Sequence, residues 1–527
     1  MADARNSILN AKTALGIELG STRIKGVLLD DQNNILASGG HAWENKLVNG
    51  VWTYDIEDVW AGLQDCYRDL KENVKNTYDV ELTTIGALGI SAMMHGYLAF
   101  NENDELLVPF RTWRNTITEP AANALTELFQ YNIPERWSIA HLYQAILNGE
   151  EHVKDVAHFT TLAGYLHFML TGVNAVGIGE ASGIFPVDSS EMAYDREMLA
   201  KFSALEEVKV MPWRVEELLP QPLMAGESAG KLSTRGAQLL EGLLLEGLSF
   251  APPEGDAGTG MTATNAVAPR TGNVSAGTSI FSMVVLEKNL EKVYEEIDLV
   301  TTPTGKPVAM VHCNNCTNDS NAWVSVLKET ANLFGACPDN GEIYTKLYEK
   351  ALEGDADCGG VLVCNYVAGE GVTHLDEGRP MVVRRPDSKF TLANFFRAQL
   401  YSTMSTLKIG MDILAKEQVA IDSLTGHGGL FKTPVVGQKF MAAACNAPVT
   451  CMQTAGEGGP YGMALLASYM LNKAEGETLE TYLNAHVFAD AKGTTLVPEQ
   501  ADVDGFNAYI KQYKALLEVE RKAVEVI

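Results

Sequence analysis

The stretch Glu18-Leu19-Gly20-Ser21-Thr22-Arg23-Ile24-Lys25 gathers one carboxylate, two hydroxyls and two cations around a single glycine turn. An acidic residue at the end of a strand, followed by a small turn with outward N–H groups, can wrap a phosphate chain while the carboxylate holds Mg²⁺, usually through water. Gly277-Thr278-Ser279 repeats the hydroxyl-bearing turn after a run that ends at Ala276. Two such turns at corresponding points of two repeated units can bracket the phosphates of one nucleotide. A strand–turn–strand unit with Gly-Ser is also a common structural device. Glu254-Gly255-Asp256-Ala257-Gly258 sets an aspartate among small residues, open to a substrate, where it can accept the proton of an attacking hydroxyl. An aspartate in such a turn is equally the type that caps a helix.

Two further runs, Gly426-His427-Gly428-Gly429 and Gly456-Glu457-Gly458-Gly459-Pro460-Tyr461-Gly462, let backbone approach a flat ligand, so Gly428, Gly429 and Gly458 are candidates to seat an adenine and ribose. Tight turns alone would use the same residues. Neither run is a Walker P-loop, and the surroundings of Asp256 lack the Rossmann fingerprint. Ser91-Ala92-Met93-Met94-His95-Gly96 leaves an apolar run, and Thr112-Trp113-Arg114-Asn115 follows shortly. Met94, His95, Trp113 and Asn115 can line a sugar pocket, with His95 at the strand's exit facing a cleft. A lone strand-end histidine is also often a satisfied structural one. Cys313 and Cys316 form one CxxC beside His312, short of the four ligands of a structural zinc site, and read as ordinary thiols.

These residues need elements to position them. Ala14 to Leu19, Ile24 to Asp30 and Ile35 to Ser38 read as a meander of short strands, Ile56 to Val74 as an amphipathic helix and Ile85 to Ser91 as a buried strand. The grammar returns at Thr271 to Ala276, Ile280 to Leu286 and Val308 to His312, with helical patterns at Trp323 to Asn332, Phe395 to Lys416 and Val435 to Cys445. A strand–Gly-turn–strand unit near residue 20 and again near 277 is a duplication of pattern rather than of identity. The spacing predicts two α/β lobes with mixed sheets: an N-terminal lobe over 14–262, a C-terminal lobe over 263–500 and a terminal helix over 501–527. A hinge is expected between Ala257 and Thr271.

The chain of 527 residues, 46% hydrophobic and 20% charged, is long enough for two cores. Its formal net charge of −27 argues against a nucleic-acid partner. No run of about 18 apolar residues or signal-peptide core appears, and eight scattered cysteines make no disulfide framework, so a cytoplasmic protein without a membrane partner is expected.

In their order these motifs resemble the FGGY carbohydrate kinases of the actin-like ATPase superfamily, from about Ala14 to Met470. Gly16-Ile17-Glu18-Leu19-Gly20-Ser21-Thr22 is similar to the family's first phosphate motif, Gly255-Asp256 to its catalytic-aspartate motif and Ser275-Ala276-Gly277-Thr278-Ser279 to its second phosphate motif. Gly426 to Gly429 and Glu457 to Ala464 resemble its adenosine-binding turns. Leu170-Thr171-Gly172, Glu180-Ala181-Ser182-Gly183 and Tyr366 to Glu370 also fit. Met94-His95-Gly96 most resembles the motif of the family's xylulokinases. Three positions depart. Glu18 stands where Asp is usual, Asn115 where Trp-x-Asp is usual, and Gly371-Val372-Thr373-His374 where Arg-Thr-Pro-His is usual, which marks a divergent member.

The resemblance implies two RNase-H-like lobes around an interlobe cleft and an ATP-dependent kinase acting on a ketopentose, D-xylulose first. Ribulose, another ketose or a polyol is the alternative within the family, and a degenerate nucleotide sensor is the alternative outside catalysis. It implies Asp256 as general base, Glu18 with Mg²⁺, and Gly20, Ser21, Thr22, Lys25, Gly277, Thr278, Ser279, Gly428, Gly429 and Gly458 around ATP. Met94, His95, Trp113, Asn115 and Asp256 would surround the sugar. A homodimer is one assembly it allows.

Overall fold

The computed structural model describes residues 2–452 and 458–527. The chain divides into two compact units, the first made of 1–268, 298–308 and 457–490, the second of 269–297, 309–456 and 491–527. Two lobes therefore form, but interleaved rather than as consecutive blocks. Segment 457–490 returns to the first unit, and the terminal helix Gln500–Val526 belongs to the second. The first crossing falls after Ala268, inside the stretch expected to hinge. Half of that stretch, however, is the helix Asp256–Ala263.

In the first unit, β1 (Ala14–Leu19), β2 (Arg23–Leu29), β3 (Ile35–Ala42), β4 (Ala87–Ala92), β5 (Ser249–Phe250) and β6 (Glu254–Gly255) make a six-stranded mixed sheet. Its order is β5-β4-β1-β2-β3, with β6 also paired to β4. β1 runs antiparallel to β2 and parallel to β4. All six residues of β4 are buried, which is why it reads as a continuous small and apolar run rather than an alternating one. Helix α1 (Ile56–Tyr78) buries Val59, Leu63, Cys66, Tyr67, Leu70 and Val74, a stripe at helical spacing. Glu57 and Asp58 in its first turn and Lys75 in its last complement the helix dipole.

The helix Gly458–Asn472 is buried on nearly every side. It lies so close to β1 that a Cβ at Gly16 would overlap the Pro460 carbonyl and the Ala464 nitrogen.

In the second unit, β7 (Thr271–Ala276), β8 (Ile280–Val285), β9 (Pro307–Cys313), β10 (Ser423–His427), β11 (Val449–Met452) and β12 (Gly493–Leu496) run in the order β9-β8-β7-β10-β11-β12. β7 is antiparallel to β8 and parallel to β10. The strand before each glycine turn is thus central in its sheet, with an antiparallel partner on one side and a parallel one on the other. The pattern-level duplication has the same topology in both units. Among the described residues no helix is long and apolar enough to cross a membrane.

Gly16→Ala should destabilise the protein by about 1–3 kcal/mol, because the added methyl meets backbone that cannot swing aside. Gly341→Ala, on an open helix position, serves as the control and should be neutral or mildly stabilising. Urea unfolding of both variants checks the pair; equal midpoints would mean that β1 tolerates a Cβ there.

Candidate active site

The Gly20-Ser21-Thr22 turn is fixed through its carbonyls. Trp43 Nε1 donates to Gly20 O at 2.7 Å, Tyr54 Oη to Ser21 O at 2.6 Å, and the Trp43 N–H to Thr22 O at 3.2 Å. The two rings stack on each other at 4.2 Å. In a trans peptide the N–H points opposite to the carbonyl of the preceding residue. The N–H groups of Ser21, Thr22 and Arg23 therefore point away from the aromatic wall, as an anion cradle requires. Thr22 and Lys25 are exposed beside them.

The second unit builds the same device with backbone donors. Gly277 O accepts from the N–H and Oγ1 of Thr317, at 3.2 and 2.8 Å, and Thr278 O accepts from the Cys316 N–H at 3.0 Å. The Thr278 and Ser279 N–H groups are turned outward by the same geometry. Gly428, at φ 101°, packs directly on the Ala276 backbone, so the Gly428-Gly429 turn adjoins the Gly277 turn. A side chain at 428 would collide there, whereas Gly429 faces open space. Gly458 belongs to the first unit. It starts the helix whose next residue, Gly459, lies against the Glu18 carboxylate. Gly456 and Glu457 lie outside the described residues.

Asp256 opens the helix Asp256–Ala263 at its first helical position, with Gly255 as N-cap, so it is not itself the capping residue. Its Oδ1 accepts the Met94 N–H at 3.1 Å. Thr259 Oγ1 bonds back to the Gly255 carbonyl at 3.3 Å and meets Ser91 Oγ at 3.2 Å, tying the first helical turn to β4. The residue has exposed surface, yet protein crowds its carboxyl. That burial raises its pKa against the pull of the Met94 and Ala257 N–H groups and the positive charge of Arg136. Glu18 is raised from 4.5 to about 7, by burial first and then by the charge of Asp256, with Lys25 opposing. Two carboxylates that repel each other in a crowded recess are a donor set that a divalent cation relieves. Among the described residues no three His, Cys, Asp or Glu side chains gather into a metal site of their own. Glu18 fits a cation whose remaining ligands are phosphate oxygens and water.

Met94, His95 and Asp256 come together; the His95 side chain is buried rather than projecting freely from the strand's end. Its Nδ1 lies 3.3 Å from the Gly183 carbonyl, which only accepts, so Nδ1 carries the proton and Nε2 is left as an acceptor. Burial, with Arg136 nearby, holds the imidazole well below its ordinary pKa and hence neutral. Trp113 is 36% exposed. Asn115 is buried, and its amide is spent on the chain: Oδ1 accepts the Trp52 N–H at 2.8 Å, and Nδ2 donates to Trp52 O and Thr112 O, both at 2.9 Å. It clamps the hairpin of Trp52 to the Thr112 segment.

Sequence reading named the motifs that hold Glu254 and Glu180 without giving either residue a role, and did not reach Arg136. Glu254 is fully buried at the start of the short helix Ile178–Ala181, accepting the N–H of Glu180 at 2.9 Å and of Gly179 at 3.3 Å. Glu180 lies against Gly255. The nearness of Glu254 to Asp256 and the Glu180-Ala181-Ser182-Gly183 stretch were the available signals; Arg136 had none.

Residues 13–244 match the FGGY family of carbohydrate kinases, N-terminal domain, and residues 272–471 match its C-terminal domain. A protein named xylulose kinase from Haemophilus influenzae is 23% identical over 483 residues, covering 89% of this chain and 93% of its own. The solved structure of ligand-bound xylulose kinase from Lactobacillus acidophilus superposes with a TM-score of 0.78 at 16% identity, over 97% of this chain and 99% of that one. Gluconate kinase from Lactobacillus acidophilus does so at 0.77 and 17%, over 97% and 99%. The mixed α/β units are thus those of a sugar phosphotransferase. The chain belongs to the FGGY family of carbohydrate kinases.

The buried Glu254 supplies a pH test. Burial raises its carboxyl from 4.5 to about 8, so the folded state holds this proton more tightly than the unfolded state. The resulting stability is fully present below the unfolded value and is lost as pH rises through the folded one. Wild type should therefore lose stability relative to Glu254→Gln between about pH 5 and about pH 8.5. Urea unfolding across that range checks it; parallel curves would show that Glu254 does not titrate there.

Proposed function

We propose that this chain transfers the γ-phosphate of ATP, with Mg²⁺, to a hydroxyl of a ketopentose, D-xylulose being the first candidate. The observation that carries the reading is the Asp256 carboxylate, held by the Met94 N–H one residue before His95. A proton acceptor and a hydroxyl reader are thereby joined by a single backbone contact. The name of the Haemophilus influenzae relative supports the choice of sugar.

In this reading Asp256 Oδ takes the proton of the attacking hydroxyl while that oxygen bonds to the γ-phosphorus. The bond to the bridging oxygen breaks, and ADP leaves with the electron pair. His95 Nε2 accepts from a second hydroxyl and so fixes the attacking one. The outward N–H groups of Ser21 and Thr22, with Lys25, hold phosphate oxygens, and Gly277, Thr278 and Ser279 offer the second unit's equivalent. Gly428 and Gly429 give adenosine a surface free of side chains, and Gly458 starts the helix beside Glu18. Glu18 would hold Mg²⁺, which when bound neutralises phosphate charge. Trp113 offers an exposed ring to the sugar, and Asn115 keeps its segment in place.

A coupled ADP assay over ketopentoses, sugar acids and polyols tests the assignment; glycerol as best acceptor would sink the ketopentose. Asp256→Asn should cut turnover by ~10²–10⁴-fold while ATP binding, read by calorimetry, persists. Retention of more than about a tenth of the rate rules out a general base here.

His95→Ala should lower kcat/KM for the best ketopentose by ~1–3 kcal/mol of transition-state stabilisation and narrow its lead over epimers. Equal losses across all sugars would make the imidazole a packing element.

A further inference from the structure

Arg136 is a guanidinium whose charge acts on both Asp256 and His95, and no motif singles it out. Its own segment grips the His95 corner. The Gly96 N–H donates to the Arg136 carbonyl at 3.2 Å, Trp137 stacks on the His95 ring at 6.2 Å and 17°, and Ser138 Oγ donates to Gly96 O at 2.6 Å. His95 and Gly96 both hold positive φ, 71° and 88°, a left-handed conformation that is strained for a histidine. Three successive residues thus maintain a strained corner, and the first of them carries the guanidinium.

That guanidinium is anchored but not used up. Asp298 pairs with its Nη2, and the other Asp298 oxygen accepts from Asn132 Nδ2 at 3.3 Å. Among the described residues no second acceptor lies on the five-donor fork, and a quarter of the side chain stays exposed. Around the acceptor position the first unit therefore presents Asp256 and His95 Nε2, which accept, and Arg136, which only donates. A polyol satisfies accepting groups anywhere along its chain. A planar fork matches a planar oxygen group, a ketone carbonyl or a carboxylate.

Resting on the kinase reading above, we propose that Arg136 is a specificity-determining residue that donates to the sp² oxygen of the acceptor and so selects ketoses or sugar acids over the matching polyols.

The test compares D-xylulose, xylitol and D-gluconate as acceptors for wild type, Arg136→Gln and Arg136→Lys, with sugar affinity read separately by calorimetry without nucleotide. We expect wild type to prefer one of the two sp²-oxygen acceptors. In Arg136→Gln that preference over xylitol should shrink roughly 10- to 100-fold, mainly through KM, and Lys should recover part of it. Which acceptor wild type prefers decides between carbonyl and carboxylate. Equal losses for every acceptor, or an unchanged ratio, overturn the proposal. Should Arg136→Gln fail to fold, the Lys variant decides, since it keeps the charge for Asp298 but loses the fork, and an unchanged ratio there is equally fatal. If wild type phosphorylates none of the three while another polyol serves, the ketopentose reading falls, and this inference with it.

Discussion

Backbone meets backbone where β1 crosses the helix Gly458–Asn472, and the rest of the first unit is arranged around that approach. Gly16 touches Pro460 and Ala464, Gly459 touches Glu18, and Gly462 touches the Thr259 carbonyl. The helix is thereby wedged between the strand that carries Glu18 and the helix that begins at Asp256. Any side chain at these glycines would push the two carboxylates apart. Close packing is felt at the scale of a single methylene in a protein interior. Here it fixes how closely the helix approaches the backbone on both sides.

That wedge has an electrostatic consequence. Glu18 and Asp256 raise each other's cost of ionisation, and the buried Glu254 and Glu180 lie behind them with little to neutralise them. Glu180 is held well above the carboxylic range by burial first, with Glu254 and Asp256 adding to it. Burial thus favours the protonated form of the two rear acids most strongly. A fully ionised quartet would repel itself apart, and a quartet replaced by apolar residues would give up the hydrogen bonds by which Glu254 holds the N–H groups of Gly179 and Glu180.

The sequence made some of this legible and hid the rest for a definite reason. The apolar run of β4, the stripe of α1 and the hairpins around Gly20 and Gly277 follow from periodicity and turn chemistry, which are local. The Glu18 and Asp256 motifs are short and contiguous, so they were visible as well. Arg136 reaches the site only through tertiary contacts, and nothing in its neighbours' residue types announces it. The interleaving of 298–308 and 457–490 into the first unit is likewise invisible to a reading that cuts the chain in order. The clamping contacts of Asn115 are hidden for the same reason, since its backbone partners at Trp52 lie 63 residues away.

The two phosphate-type turns show how one chemical requirement is met by unlike sequences. Outward N–H groups need inward carbonyls, and each inward carbonyl needs a donor. The first unit supplies Trp43 and Tyr54 from the chain after β3; the second supplies the N–H groups of Cys316 and Thr317 from the chain after β9. The aromatic solution adds a stacked wall, and the backbone solution adds the Thr317 hydroxyl. Neither donor set resembles the other, so the duplication survives in topology and in the small residues of the turns but not in the residues that lock them. What is shared between the two units is the peptide orientation, and the residue types that enforce it are free to differ.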